Sequence, residues 1–392
     1  MDHYLNDRPI KLFTPGPVSI PSRVSAAMSF RHYHHRMNDF SKILEETLHM
    51  LQPLFGTAQP IMPVHTTGRG ALEGVYNNLF TEKDRILSIC NGQFGEMAAA
   101  TIKCNGFTSI KAFTGWETRV DLDELEKIII QHQPTAITAV HSDTSNAVVN
   151  PLSEIGQLAK KYSLLFVVDT VSGLGCMPFH FDRWGVDAAV TASQKGLMSP
   201  AGISFVAMSE KAIDICENQK PRDYYINFSK IRDTVLSKNE TPGSTPVSLV
   251  VAVNEALHMI HEEGLEQVYH RHQRLSKSLK AAVEALGFPL FPGQCELRSD
   301  SLTVCRLPET LKAGVVTSHL RTHYHLMISR GLGEYGDTCL RMAHMGNCYV
   351  EDMLQLIAAL ESTLQELGAL SSMGKGLQAF TSQYREFEQA DG

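Results

Sequence analysis

The sequence has no apolar run approaching the roughly 18 residues that cross a bilayer, and its opening stretch, MDHYLNDRPIKLF, lacks the apolar segment of a secretory signal. It has no basic excess. Its 35 Lys and Arg stand against 42 Asp and Glu for a net charge of −7, so it lacks the basic face that gripping nucleic acid requires. No Cys-x-x-Cys pair occurs. The eight cysteines (Cys90, Cys104, Cys176, Cys216, Cys295, Cys305, Cys339 and Cys348) are scattered without zinc-ligand spacing and read as reduced thiols. His32, His34 and His35 in RHYHHRMNDF stand at i, i+2 and i+3 with no nearby cysteine or paired carboxylate, a poor metal site. The closing EQADG does not match a Ser-Lys-Leu signal. The expectation is a soluble, cytoplasmic protein acting on small molecules, with no metal, membrane or nucleic-acid partner.

With 392 residues, 43% hydrophobic and 20% charged, the chain can bury the core of one large domain and of a smaller one. From about residue 60 to 210, short apolar runs alternate with helix-period segments, the pattern of βαβ units in an α/β fold with a mainly parallel sheet. The strand candidates are PIMPV, RILSIC, TAITAV, LLFVV, DAAVTA and ISFVAM; the helix candidates include Gly70–Leu79, Leu122–His132 and Leu152–Tyr162. A long helical pattern follows residue 245. Residues 288–368 then combine strands such as SLTVCRL with a closing helix, a smaller α+β unit. The expected divisions are an arm at 1–22, a large domain at 23–265, a small domain at 266–370, and a tail at 371–392 that is an appended helix or partly disordered.

Five of the apolar runs lead into polar or glycine-rich segments: HTTGRG, NGQFGE, HSDTSN, DTVSG and SQKG. Open α/β sheets build their ligand sites at such strand ends. In TTGRGALEG, Thr66, Thr67, Gly68 and Gly70 lie between a strand and a helix, where free amides and the helix dipole suit an anion. The loop is neither a Walker A nor a Gly-x-Gly-x-x-Gly dinucleotide motif. Asp169 closes LLFVVD, and Lys195 follows DAAVTA. Taken singly, each has a plainer reading as a tight turn, a cap or a solvated loop charge. Together with Phe94 they suit pyridoxal phosphate, which needs an anchored phosphate, an acid beside its ring nitrogen, a stacking face and an amine for its aldehyde.

The order of these motifs resembles the class V aminotransferases of the fold-type-I pyridoxal-phosphate enzymes, most of all the alanine–glyoxylate and serine–glyoxylate branch. The resemblance runs from LFTPGPVSIPSRV through HRMNDF, GRGALEG, NGQFGE, the segment VVDTVSGLGCMPFHFDRWGVDAAVTASQKGLMSPAGISFV and TPGSTPVSLVVAVNEAL to RGLGEYGDTCLRMAHMGN. It implies a mainly parallel seven-stranded sheet with a smaller C-terminal α+β domain, and a homodimer with shared sites. Lys195 matches the lysine that carries the cofactor, Asp169 the partner of the pyridine nitrogen, and Phe94 the stacking aromatic. Thr67, Gly68 and Arg69 match the phosphate loop, with Gln194 beside it and Thr144 near the ring. Ser244 or Thr245 would reach the neighbouring subunit's phosphate, and Arg341 would grip the substrate carboxylate.

Five positions depart from the pattern. Gln194 stands where desulfurases of this fold carry histidine, Arg69 replaces a small residue or histidine, Asp143 replaces a common glutamate, and Asn146–Ala147 break an STG ending. The implied activity is ping-pong transamination between a small amino acid, alanine or serine, and a small 2-oxo acid, glyoxylate or pyruvate. The alternatives are a ureidoglycine–glyoxylate aminotransferase, since an arginine occurs in a similar segment of those enzymes, and a lyase or desulfurase using Cys339. A degenerate, non-catalytic scaffold has no need to keep Lys195, Asp169 and Arg341 together.

Overall fold

The computed structural model describes residues 9–30, 33–220, 222–293 and 298–390; His32 and Cys295 lie outside them. The six apolar runs become six contiguous strands of one sheet. In chain order its strands are β1 (Ile61–Val64), β2 (Arg85–Ile89), β3 (Thr108–Ala112), β4 (Ala136–Val140), β5 (Leu165–Asp169), β6 (Ala188–Ala192) and β7 (Ser204–Met208), arranged β1-β7-β6-β5-β4-β2-β3. Every residue of β4, β5, β6 and β7 is buried, so their small and β-branched side chains pack on both faces. β3, at the sheet edge, is half polar and partly exposed, which hides it from a search for apolar runs. β7 runs antiparallel to both neighbours, and the other pairings are parallel.

Helices cover the sheet. Those of the large unit include α1 (Ser22–Phe30), α2 (Asn38–Phe55), α3 (Gly68–Leu79), α4 (Gln93–Cys104), α5 (Leu122–His132) and α6 (Leu152–Lys161), beside the helices Phe181–Trp184, Glu210–Asn218 and Phe228–Lys238. Their ends follow local chemistry. Asp121 caps α5 by accepting from Glu124 N at 2.9 Å, and α6 begins after Pro151, with Glu154 in its first turn and Lys160 and Lys161 in its last. The long helical pattern after residue 245 is two helices, α7 (Val247–Glu263) and α8 (Leu265–Ala285), broken at Gly264, whose φ of +87° suits glycine.

A second core forms around α8, α9 (Val350–Glu366), α10 (Lys375–Ala390) and a small antiparallel sheet of β8 (Leu302–Arg306), β9 (Cys339–Ala343) and Ser329–Arg330. Leu275, Leu279, Leu356, Leu360 and Phe380 fill it. The C-terminal segment is therefore an ordered helix packed into this core, not a disordered tail. Buried Glu361 fixes its entry by accepting from Gly374 N at 2.9 Å and Gly376 N at 2.7 Å. The N-terminal arm also belongs here: Lys11–Leu12 pairs with Leu326–Met327, and Phe13 O accepts from Ala343 N at 2.8 Å. From there the chain crosses to the rim of the large sheet, where Val18 N donates to Gln194 O.

Candidate active site

The carboxyl ends of β1, β2, β4, β5 and β6 meet on that rim, around a cavity of about 430 Å³. Thr67, Gly68, Arg69, Phe94, Asp169, Gln194 and Lys195 line it. Lys195 Nζ lies 6.0 Å from the centre of the Phe94 ring and donates a hydrogen bond to Pro15 O. Burial pushes the amine down to about 8, opposed by Asp169 and helped by Arg341. Asp169, at the end of β5, accepts from Val171 N at 2.9 Å, and burial raises its carboxyl to about 6.

The phosphate end is built by α3. The first amides of a helix have no intrahelical partner, and the Thr67 side chain makes no cap bond, so amides and hydroxyl are free for an anion. Gly68 is required there: a Cβ would meet Val171 Cγ2 at 2.6 Å. Arg69 is exposed, and its one hydrogen bond among the described residues goes to Met97 Sδ at 3.5 Å. Gln194 Oε1 is buried on the wall without a partner, an atom that a polar ligand would satisfy.

Arg341 projects from β9 and is almost fully buried. Its Nε donates to Arg330 O at 2.6 Å and its Nη1 to Thr144 O at 3.0 Å, leaving Nη2 without a protein partner among the described residues. Burial pulls the guanidinium down to about 10, with Asp143 opposing. Thr144 thus contributes its carbonyl to Arg341, and its side chain does not line the cavity. Ser244 and Thr245 are also off the cavity of their own chain. Thr245 is buried with its hydroxyl 2.7 Å from that of Thr241, whereas Ser244 is exposed.

Two contributors escape a reading of strand ends. Gly16, in the arm, has φ +115°, and a Cβ there would stand 2.5 Å from Lys195 Cε. The TPGP spelling marks a turn, but nothing local ties it to a residue 179 positions away. Asp143 looks like a mere substitution in sequence. In the fold, its Oδ2 accepts from Phe94 N at 2.9 Å and Gly95 N at 3.4 Å, and its Oδ1 from Ser145 N and Oγ at 2.9 and 2.6 Å. It therefore holds the start of α4, which carries Phe94.

The family described as aminotransferase class-V matches residues 21–354. The chain belongs to the class-V aminotransferases. This class-V aminotransferase is 32% identical over 384 residues to the L-aspartate–glyoxylate aminotransferase of Paracoccus denitrificans, covering 96% of each chain. It is 30% identical over 389 residues to the serine–glyoxylate aminotransferase of Methylorubrum extorquens, again 96% of each. Among solved structures, the ureidoglycine–glyoxylate aminotransferase of Bacillus subtilis matches with a TM-score of 0.91 at 27% identity, over 97% of this chain and 99% of that one. The enzyme is a pyridoxal-phosphate-dependent transaminase, and its cavity fits that cofactor: an amide cradle at the start of α3, a buried carboxylate short of a cation, an aromatic face and a depressed amine. Cys339, by contrast, is buried in β9, off the cavity, with its thiol pushed up by burial; that is no nucleophile on a mobile loop.

Proposed function

We propose that this class-V aminotransferase moves the amino group of a small amino acid, alanine or serine, to a small 2-oxo acid, glyoxylate or pyruvate, in two half-reactions with a shared binding site. The observation that carries the reading is a depressed amine in the cavity, Lys195, with a buried guanidinium, Arg341, near enough to act on its charge and keeping an Nη2 without a protein partner among the described residues, although Arg341 does not itself line the cavity. Glyoxylate is favoured as acceptor because it stands in the names of all three relatives above.

Bound pyridoxal phosphate supplies an aldehyde that exchanges amino groups and a ring that draws electrons from the substrate Cα. Thr67, Gly68 and Arg69 would hold its phosphate, Phe94 its face, and Asp169 a proton on its ring nitrogen. Gln194 would satisfy its orphaned oxygen on the cofactor. Arg341 would take the substrate carboxylate through its free Nη2, orienting the amino acid with its Cα proton toward Lys195. The neutral Lys195 Nζ would take that proton and hand it to the carbon of the cofactor's aldehyde group, so that the amine ends as it began. An amine near 8 is well matched to this work at neutral pH. The arm over Lys195 limits water at the reacting atoms.

We also propose a cytoplasmic homodimer with shared sites. Ser244 faces outward, away from its own cavity, and Tyr224 and Tyr225 near it are 90% and 68% exposed. In this reading Ser244 completes the phosphate site of the second subunit.

The test is a half-reaction screen: purified enzyme with bound cofactor is mixed with alanine, serine, aspartate or ureidoglycine while its absorbance is followed. Alanine or serine should convert the cofactor fastest. The ureidoglycine arm tests the alternative in which Arg69 takes the carbonyl of a ureido group. A protein that shows no cofactor band after addition of pyridoxal phosphate would refute the whole reading.

A further inference from the structure

The loop carrying Ser244 has almost no framework of its own. Among the described residues, no backbone-to-backbone hydrogen bond involves residues 240–244. Thr241 spends its hydroxyl inside the loop, on Gly243 O at 3.2 Å and Thr245 Oγ1 at 2.7 Å. What ties the loop to the rest of the chain is Arg36, from the turn before α2. Arg36 Nη1 donates to Glu240 Oε2 at 2.5 Å and to Thr241 O at 2.9 Å, and Nη2 to Gly243 O at 3.3 Å. The turn beneath it is closed by Met37 N donating to His34 O at 2.9 Å, and by Arg36 N donating to His34 Nδ1 at 3.2 Å.

A guanidinium suits this task. Its fork reaches a carboxylate and two carbonyls in fixed directions, which an ammonium on a flexible stem does not match. The carbonyls it holds flank Pro242 and immediately precede Ser244, so they set where that exposed hydroxyl points. A loop ordered before binding loses less freedom when it meets its ligand.

We propose that Arg36 is a positioning residue acting in trans: it aims Ser244 at the cofactor phosphate of the second subunit. The inference rests on the shared-site homodimer proposed above. Arg36 does not line its own chain's cavity, and its side-chain partners among the described residues are Glu240, Thr241 and Gly243.

The experiment measures pyridoxal-phosphate affinity of cofactor-free full-length protein by absorbance titration, with sedimentation in parallel. Arg36→Ala should remain a dimer and bind the cofactor about tenfold more weakly, the equivalent of about 1.4 kcal/mol. Arg36→Lys, which keeps the charge for Glu240 but not the fork, should fall between. Ser244→Ala should weaken binding similarly, and adding it to Arg36→Ala should cost little more, since the two act through one contact. Mixed dimers decide the direction. Arg36→Ala paired with Lys195→Ala should regain one site of wild-type affinity, because the chain with the intact lysine then receives an intact loop.

Unchanged affinity in dimeric Arg36→Ala, fully additive effects with Ser244→Ala, or no recovery in the mixed dimer each overturn the inference. So does dissociation of Arg36→Ala into monomers, since the residue would then hold the interface and not aim a hydroxyl. A wild-type chain that is monomeric and still binds the cofactor tightly refutes the shared site itself, a separate result.

Discussion

Asp169 and Lys195 are two ionisable groups in one cavity, pushed by burial in opposite directions, to about 6 and about 8. Both shifts favour the neutral forms in the cofactor-free protein. For Lys195 the unfolded chain binds more protons than the folded one between about 8 and 10.5, so this residue makes stability rise with pH across that window. For Asp169 the folded chain binds more protons between 3.8 and about 6, so stability falls as pH rises there. Thermal melts of cofactor-free Lys195→Met should lack the alkaline rise of the wild type. Replacing Asp169 by alanine should cut turnover by about a hundredfold or more while leaving the melting temperature nearly unchanged; steady-state kinetics beside calorimetry would check both, and near-normal turnover would remove the role assigned to it. These two residues were legible in the sequence because Asp169 closes an otherwise apolar strand and Lys195 follows another within three residues, on the same rim as TTGRG and Phe94. Arg341 and Ser244 were not: their neighbours give no local signal, and only the order of motifs along the whole chain pointed to them.

Among the elements, α4 is the one whose start does most for the site. Gly92 precedes it with no side-chain cap, and Asp143 from another loop supplies the missing acceptor for Phe94 and Gly95. Asp143→Ala should destabilise the protein by about 1 kcal/mol, the usual cost of a lost helix cap, and loosen the Phe94 ring. Melting curves and a cofactor titration would show the two effects together, with Asp143→Asn milder in both. The arm makes a second prediction. Gly16→Ala combines a left-handed backbone with a Cβ inside the contact distance of Lys195, so it should slow cofactor uptake in a stopped-flow trace while the far-ultraviolet circular dichroism stays that of the wild type. Strands and helices built on strong periodicity were readable; β3 was not, because an edge strand needs little apolar surface, and the break at Gly264 was hidden inside a continuous helical pattern.

At the scale of the molecule, two cores meet along a seam of Val18, Ala147, Cys176, Phe291, Val304 and Cys339, and Arg341 reaches across from the smaller unit to Thr144 O. Composition and alternation foretold a large α/β unit and a smaller α+β one. They did not foretell that Lys11–Phe13 and the helix Lys375–Ala390 both pack into the smaller unit, since such docking depends on surfaces formed far away in sequence. Sedimentation of the purified chain at micromolar concentration should give twice the mass of one chain, and a single-chain mass would withdraw the shared site. The arm also has a consequence for how the enzyme is made. Phe13 O waits for Ala343 N, and Lys11 N for His325 O, so the arm cannot settle until partners more than three hundred residues further along the chain are in place.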